Sequence, residues 1–271
     1  MTISEGLKYG TKLIGWRDTV LILCHITEKT SSHIMLHEEE PIPNVDEFLQ
    51  YLNRCKQGEP LQYVMGKWDF MGHTLCVDGR ALIPRPETEL LVEDALKFLQ
   101  GCNSNSSVLD LCTGSGCIAI AIAKAGNYNV TAADISASAL SLAKQNGEGL
   151  NINFVQSNLF NEITGMFDLV VSNPPYITSK EMDNLSSTVV DHEPHLALHG
   201  GADGMDIYRK LIPQSINFLR PGGALFLEIG PAAVKDIMIE SGYKKVQLKH
   251  DYVGLPRIVY GVNLQSKQNM E

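Results

Sequence analysis

Apolar residues recur along the chain with two different periods, and the change from one to the other divides it. From Thr2 to about Asp78 the spacing is helical. "SEGLKYGTKLIG" opens with a serine suited to capping, and "DTVLILCHIT" carries a dense apolar face. "NVDEFLQYLNRCKQG" sets Val45, Phe48, Leu49 and Leu52 at helical intervals before Gly58, with "PIPN" as the connector leading in. Beyond Gly58 the pieces shorten and alternate. "LQYVMG" and "HTLCVDG", punctuated by Gly66, Gly72 and Gly79, predict a small hairpin.

From about Ala81 the rhythm becomes strand, glycine turn, helix, repeated. "SSVLDL", "YNVTAAD", "NINFVQS", "FDLVVSN" and "GGALFLEIG" read as strands, and "ELLVEDALKFL", "GCIAIAIAKAG" and "SASALSLAKQN" as helices, the last with Ser136 as its cap. Strands alternating with helices at this spacing predict an α/β fold with a doubly wound, mostly parallel sheet. "KKVQLKHDYVGLPRIVYGV" reads as two further strands around Gly254 and Pro256, an antiparallel addition. The expected organisation is a helical domain over residues 1–65, a hairpin linker over 66–80, the α/β domain over 81–265 and a frayed tail over 266–271.

Composition narrows the class. In 271 residues, 44% hydrophobic and 20% charged, no apolar run reaches the length of a membrane span and no signal-peptide pattern opens the chain, so a cytoplasmic location without membrane contact is expected. Six scattered cysteines without C-x-x-C spacing read as reduced thiols. A formal charge of −9 without a dense Lys/Arg cluster argues against nucleic acid as a direct substrate.

"VLDLCTGSGCIAIA" sets Gly114 and Gly116 between a strand and a helix. The string fits G-x-G-x-x-A, which dinucleotide-binding chains also carry, but three details favour S-adenosylmethionine. Asp110 ends the strand, where an anion repels pyrophosphate and can hold a cationic amino acid group, directly or through water. No Lys follows in the pattern of a triphosphate cradle. Asp134 ends the next strand, 18 positions after Gly116, where a carboxylate can accept from both ribose hydroxyls. The plainer alternatives, a bare tight turn and a helix-capping Asp134, explain each residue separately but not their register.

"VVSNPPYIT" ends a buried strand at Asn173, two prolines and Tyr176. Asn173 Oδ1 and the Pro174 carbonyl can accept from one NH₂ group, orienting an amide nitrogen whose lone pair is otherwise delocalised. Tyr176 offers a ring for a planar group to stack on, and the prolines stiffen the whole. A strand-terminating turn with a packed tyrosine is the plainer alternative. The turn's place on the glycine-turn side of the sheet weighs against it.

"GEPLQYVMG", "LIPRPETE", "DLCTGSGCIAIA", "NPPYI", "EPHLALHGGADGMDIYR" and "GGALFLEIG", taken together, resemble the HemK/PrmC family, which methylates the glutamine of the Gly-Gly-Gln loop in class I peptide chain release factors. The resemblance spans about Gly58 to Arg257. It implies a Rossmann-like, seven-stranded class I S-adenosylmethionine-dependent methyltransferase with a helical, release-factor-binding N-terminal domain, and S-adenosylhomocysteine as co-product. On the matching positions it implies that Cys112, Thr113, Gly114, Ser115 and Gly116 form the cofactor turn, that Asp134 meets the ribose, and that Leu159 lies beside the adenine. Asn173, Pro174, Pro175 and Tyr176 would hold the substrate, Asn173 also standing near the transferred methyl.

Two positions depart from the family. Cys112 stands where it has glycine, so a negative φ or a shifted loop is expected there. Asn158 replaces an acid and loses its charge. "PRPETE" reads as a helix start with Pro86 at the first position, and by resemblance also flanks the cofactor. His192, His195 and His199 are interrupted by Pro194, so no metal is expected. Glu38 to Glu40 read as a solvated connector. Two rival readings remain: the same fold acting on an exocyclic amine of DNA or RNA, and a non-catalytic adaptor that keeps the turn for structure alone.

Overall fold

Thr2, not the predicted serine Ser4, caps the first helix. Its hydroxyl accepts from Glu5 N–H while the Glu5 carboxylate accepts from Thr2 N–H, a reciprocal pair that starts the helix at Ile3. The computed structural model describes residues 1–251 and 253–264, so the predicted tail lies outside the described residues. They form two units: Met1–Lys67 with Ser186–His192, and Trp68–Leu185 with Glu193 onward. The chain therefore returns to the first unit for seven residues in the middle of the second, which linear domain boundaries do not anticipate.

In the first unit, helices Ile3–Ile14, Trp16–Thr27 and Val45–Lys56 pack Ile22, Leu23, Phe48 and Leu52 into a common core, joined by Ile34 from Ser31–Leu36. That six-residue helix is too short to carry a periodic pattern. "LQYVM", expected in a strand, is a single helical turn, Leu61–Met65. Pro60 precedes it and Gly66 ends it with φ at +69°, a boundary pair that alternation cannot report. Arg54 fixes this segment, forking onto Glu59 at 2.5 and 2.8 Å and donating to the Val64 carbonyl at 3.2 Å.

The hairpin consists of β1 (Lys67–Phe70) and β2 (His73–Cys76). Met71 and Gly72 between them both have positive φ, the form that suits the strands' twist. From Trp68 on it belongs to the second unit rather than forming a linker.

The main sheet contains β3 (Ser107–Leu111), β4 (Asn129–Asp134), β5 (Ile152–Gln156), β6 (Phe167–Ser172), β7 (Leu219–Glu228), β8 (Lys244–His250) and β9 (Pro256–Val262). Their order is β5-β4-β3-β6-β7-β9-β8, parallel except for β9, which runs antiparallel to both neighbours. Alternation along the strands feeds two cores. Val108, Leu169, Val171, Ala224 and Phe226 face helices Pro86–Gln100 and Cys117–Ala125. Leu109, Val170, Leu225 and Leu227 face helices Asp206–Ser215 and Val234–Glu240. Both faces being covered, the strands read as continuous apolar runs. Strand order reverses between β3 and β6, which places a crevice at their carboxyl ends. Among the described residues no helix is long and apolar enough to cross a membrane.

Candidate active site

The turn after β3 owes its shape to backbone conformations and to two carboxylates that hold it. Cys112, Gly114 and Gly116 have φ of +58°, +55° and +84°. Of the negative φ or shifted loop expected from its side chain, Cys112 does not take the first: it adopts the left-handed form, at a cost of about 1 kcal/mol. A Cβ at Gly116 would stand 3.1 Å from that of Ala143, so this glycine sets helix packing. A Cβ at Gly114 would meet only Ala81, at 3.9 Å, so here the backbone borders open space.

Asp110 sits behind the turn. It is fully buried, its Oδ2 accepts from Thr113 Oγ1 at 2.6 Å and Ala119 N at 3.1 Å, and it does not line the crevice. Of the two contacts expected for it, direct or through water, the direct one has no opening onto the crevice; its Oδ2 ties the turn to the helix Cys117–Ala125. Its Oδ1 has no partner, and burial pushes the carboxyl up to about 7. Asn146, which the sequence reading passed over, joins the turn to β2: its Nδ2 donates to the Ser115 and Cys76 carbonyls and its Oδ1 accepts from Cys76 N.

Asp134 does border the crevice. Its Oδ2 accepts from Gly114 N and its Oδ1 from Ser136 N, both at 2.9 Å, and burial raises its carboxyl above the usual range. Each oxygen keeps a free lone pair. Leu159 has φ of +51°, its carbonyl held by the Ser157 hydroxyl at 2.7 Å. Two strained non-glycine residues, Cys112 and Leu159, thus line one crevice, a placement typical of ligand sites.

The turn after β6 is held by its surroundings. Asn173 Nδ2 donates to Thr88 Oγ1 at 3.2 Å, Thr88 donates to Glu228 Oε2 at 2.6 Å, and Tyr176 donates to Glu228 Oε1 at 3.3 Å. Tyr208 donates to the Glu228 carbonyl at 2.8 Å. Three glycines take the shape of Tyr176. A Cβ on Gly200 would lie 2.6 Å from its Cα, one on Gly230 2.7 Å from its ring, and one on Gly204 against its carbonyl. Backbone bonds from Ile177 N to Leu198 O and from Gly200 N to Ile177 O fasten the same loop. Beside it, Glu193, 3% exposed, accepts from Arg85 at 2.5 Å and from Ile83 N at 3.3 Å, fixing the Pro-Arg-Pro entry to the helix Pro86–Gln100.

The crevice brings together Cys112, Thr113, Gly114, Ser115, Asp134, Leu159, Asn173 and Pro175, as expected, with Asn158. Asp110, Gly116, Pro174 and Tyr176 lie outside its lining: Pro174 is buried, and Tyr176 is half-buried against the glycines. Thr88, Asn146, Glu193 and Glu228 escaped the sequence reading because their partners are 31 to 140 positions away. Burial pushes Cys112 and Cys117 up to about 12, so both remain thiols at neutral pH and neither is a nucleophile. Among the described residues, the metal-binding side chains that come close together are His33, His37 and Glu40, within 4.8 Å of one another in the first unit, not the histidines of "HEPHLALH".

Two family models match this chain, a methyltransferase small domain over residues 87–201 and a PrmC N-terminal domain over residues 16–66. The release factor glutamine methyltransferase of Clostridium acetobutylicum is 35% identical over 258 residues, 90% of each chain. That of Salmonella typhimurium is 38% identical over 90% of this chain and 91% of its own, and that of Streptococcus pneumoniae 44% over 71% and 68%. Among solved structures, a methyltransferase from Pyrococcus furiosus superposes with a TM-score of 0.53 at 22% identity, over 72% of this chain and 90% of that one. The 16S rRNA N2 G1207 methyltransferase of Thermus thermophilus, in complex with AdoMet and guanosine, gives 0.53 at 20% identity over 72% and 49%. At these identities the two structures establish the fold alone.

Proposed function

Because the chain belongs to the release factor glutamine methyltransferase family, we propose that it transfers a methyl group from S-adenosylmethionine to the side-chain amide nitrogen of the Gly-Gly-Gln glutamine in class I peptide chain release factors. The observation that carries this reading is the shared crevice: Asn173 stands on the same wall-lined space as Gly114, Asp134 and Leu159.

The residues fit the cofactor. Gly114 leaves backbone open to the crevice where a side chain would fill it. Asp134 keeps acceptor capacity for a pair of hydroxyls, and Leu159, Ile135 and Ala139 offer apolar surface to a flat base. When bound, S-adenosylmethionine supplies an electrophilic methyl on a sulfonium.

On the substrate side, Asn173 Oδ1 and the Pro174 carbonyl act as acceptors for the glutamine NH₂, restricting its rotation and raising electron density on nitrogen. Tyr176 backs the planar amide with its ring. No strong base is needed, because the amide nitrogen sheds a proton readily once alkylated. The Cys112 and Cys117 thiols do not compete for the methyl, since both stay protonated. The helical unit, over which the PrmC N-terminal model matches, is the part we assign to binding the release factor.

Mass spectrometry of a purified release factor after incubation with enzyme and S-adenosylmethionine should find one methyl on the Gly-Gly-Gln peptide and none on nucleic acid included as a competitor. Asn173→Ala should lower kcat at least about 10²-fold. Full methylation by that variant, or methyl on the nucleic acid instead, would refute the assignment.

A further inference from the structure

A carboxamide has an acceptor end and a donor end of nearly the same shape, and a half-turn about its last bond exchanges them. Asn173 serves the proposed reaction only with its oxygen toward the substrate amide, since its NH₂ would meet another NH₂. Something must choose between the two orientations.

Three hydrogen bonds make that choice. A threonine hydroxyl has a single hydrogen, and that of Thr88 is given to Glu228 Oε2 at 2.6 Å. Toward Asn173, 3.2 Å away, Thr88 therefore presents only lone pairs. The carboxamide must answer with Nδ2, which turns Oδ1 the other way. The direction of the whole chain is set at Glu228, which as a carboxylate has no hydrogen to give. Its other oxygen accepts from Tyr176, so the same group fixes both ends of the Asn-Pro-Pro-Tyr turn.

The residues are placed to do this. Glu228 ends β7, whose Leu227 is in register with Ser172 of β6, so it neighbours Asn173 across the sheet. Thr88 projects from the first turn of the helix Pro86–Gln100. Glu228 and Thr88 are 1% and 2% exposed, which shields both bonds from exchange with water.

We propose that Thr88 and Glu228 are positioning residues that hold the Asn173 carboxamide with its acceptor toward the substrate. This rests on the function proposed above. Protonation of Glu228 reverses the relay: the acid donates to Thr88, Thr88 becomes free to donate to Asn173 Oδ1, and the amide turns its NH₂ to the substrate. Burial raises the Glu228 carboxyl above its ordinary range. Glu87 on the Thr88 helix adds to this, while the Thr88 and Tyr176 hydroxyls and Arg257 of β9 work against it. Tyr208 from the helix Asp206–Ser215 and the Cys117 thiol from the helix Cys117–Ala125 complete the titratable surroundings.

The test measures kcat and KM for methylation of a purified release factor between pH 5 and 9. Thr88→Val, which keeps the shape and loses the relay, should lower kcat about 10²-fold and leave KM within about twofold. Thr88→Ser should recover most of the rate. Glu228→Gln, whose NH₂ can donate to Thr88, should lower kcat as Thr88→Val does and abolish the loss of rate at low pH. Wild-type kcat in Thr88→Val, equal losses in the valine and serine variants, or an acid limb unchanged in Glu228→Gln would each overturn the proposal. Should Thr88→Val not fold, judged by its circular dichroism, the rate and acid limb of Glu228→Gln decide alone. Asn173→Ala separates the two levels: if it is inactive while Thr88→Val is fully active, the function stands and the relay falls; if it is active, the function itself falls.

Discussion

The turn after β3 and the turn after β6 end neighbouring strands and face one crevice, yet they are held in different ways. The first is bent by its own backbone and held by polar groups beside it. Left-handed residues at Cys112, Gly114 and Gly116 bend it, Asp134 accepts from Gly114 N, and Asp110 accepts from the Thr113 hydroxyl and from Ala119 N of the following helix. The second has no such backbone strain. Two prolines stiffen it, three glycines from other segments mould themselves to Tyr176, and a buried glutamate accepts from the Tyr176 hydroxyl and from Thr88, which in turn accepts from Asn173. A site that must cradle a ligand with its main chain exposes backbone and stores strain. One that must present a single side chain in a single orientation relies on outside support.

If the first turn depends on buried charge, its stability should follow pH. The folded-state carboxyl of Asp110 titrates near 7, above its unfolded value near 3.8, so between these pH values the folded state keeps a proton that the unfolded state has lost. This contribution is present in full below about pH 4 and disappears as pH rises through about 7, a fall of roughly 4 kcal/mol. Urea midpoints of wild type and Asp110→Asn across this range should diverge accordingly, and parallel curves would remove charge from the account.

The second turn should instead respond to volume. Gly204→Ala places a Cβ against the Tyr176 carbonyl at φ of +74°, and should destabilise by about 3 kcal/mol equally at pH 5 and pH 8. A pH-dependent loss would erase the distinction between the turns. Asp134→Asn should weaken S-adenosylmethionine binding, measured by calorimetry, by about 2 kcal/mol or roughly 30-fold, with little effect on release-factor KM. Cys112→Gly is the smallest change. By releasing the left-handed cost it should raise thermal stability, read from the melting midpoint, by about 0.5–1 kcal/mol.

The two turns also differed in how far they could be read from the sequence. Glycines between a strand and a helix, with an aspartate at the next strand's end, are local signals, and the residues from Cys112 to Ser115 lie where those signals put them. Asn173 and Pro175 were found in the same way. Glu228 and Thr88 were not, because 140 positions separate them and neither has a local pattern that names its partner. Gly200 and Gly230 were visible as letters, but a glycine needed for its missing Cβ looks the same as one in a turn. At the level of elements, the parallel sheet was legible from its runs of apolar residues. "LQYVM" was misjudged because five residues satisfy either period, and its flanking Pro60 and Gly66 decided the matter.

The seven residues Ser186–His192 belong with the N-terminal helices although the chain on either side belongs with the sheet. Excising the first 67 residues would therefore strip this short segment of the fold it joins, within a stretch that also supplies Glu193, Gly200 and Gly204. The N-terminal unit is not a cassette removable at a single cut. A chimera carrying a different N-terminal module would need a matching replacement for residues 186–192, so the two parts are bound to change together.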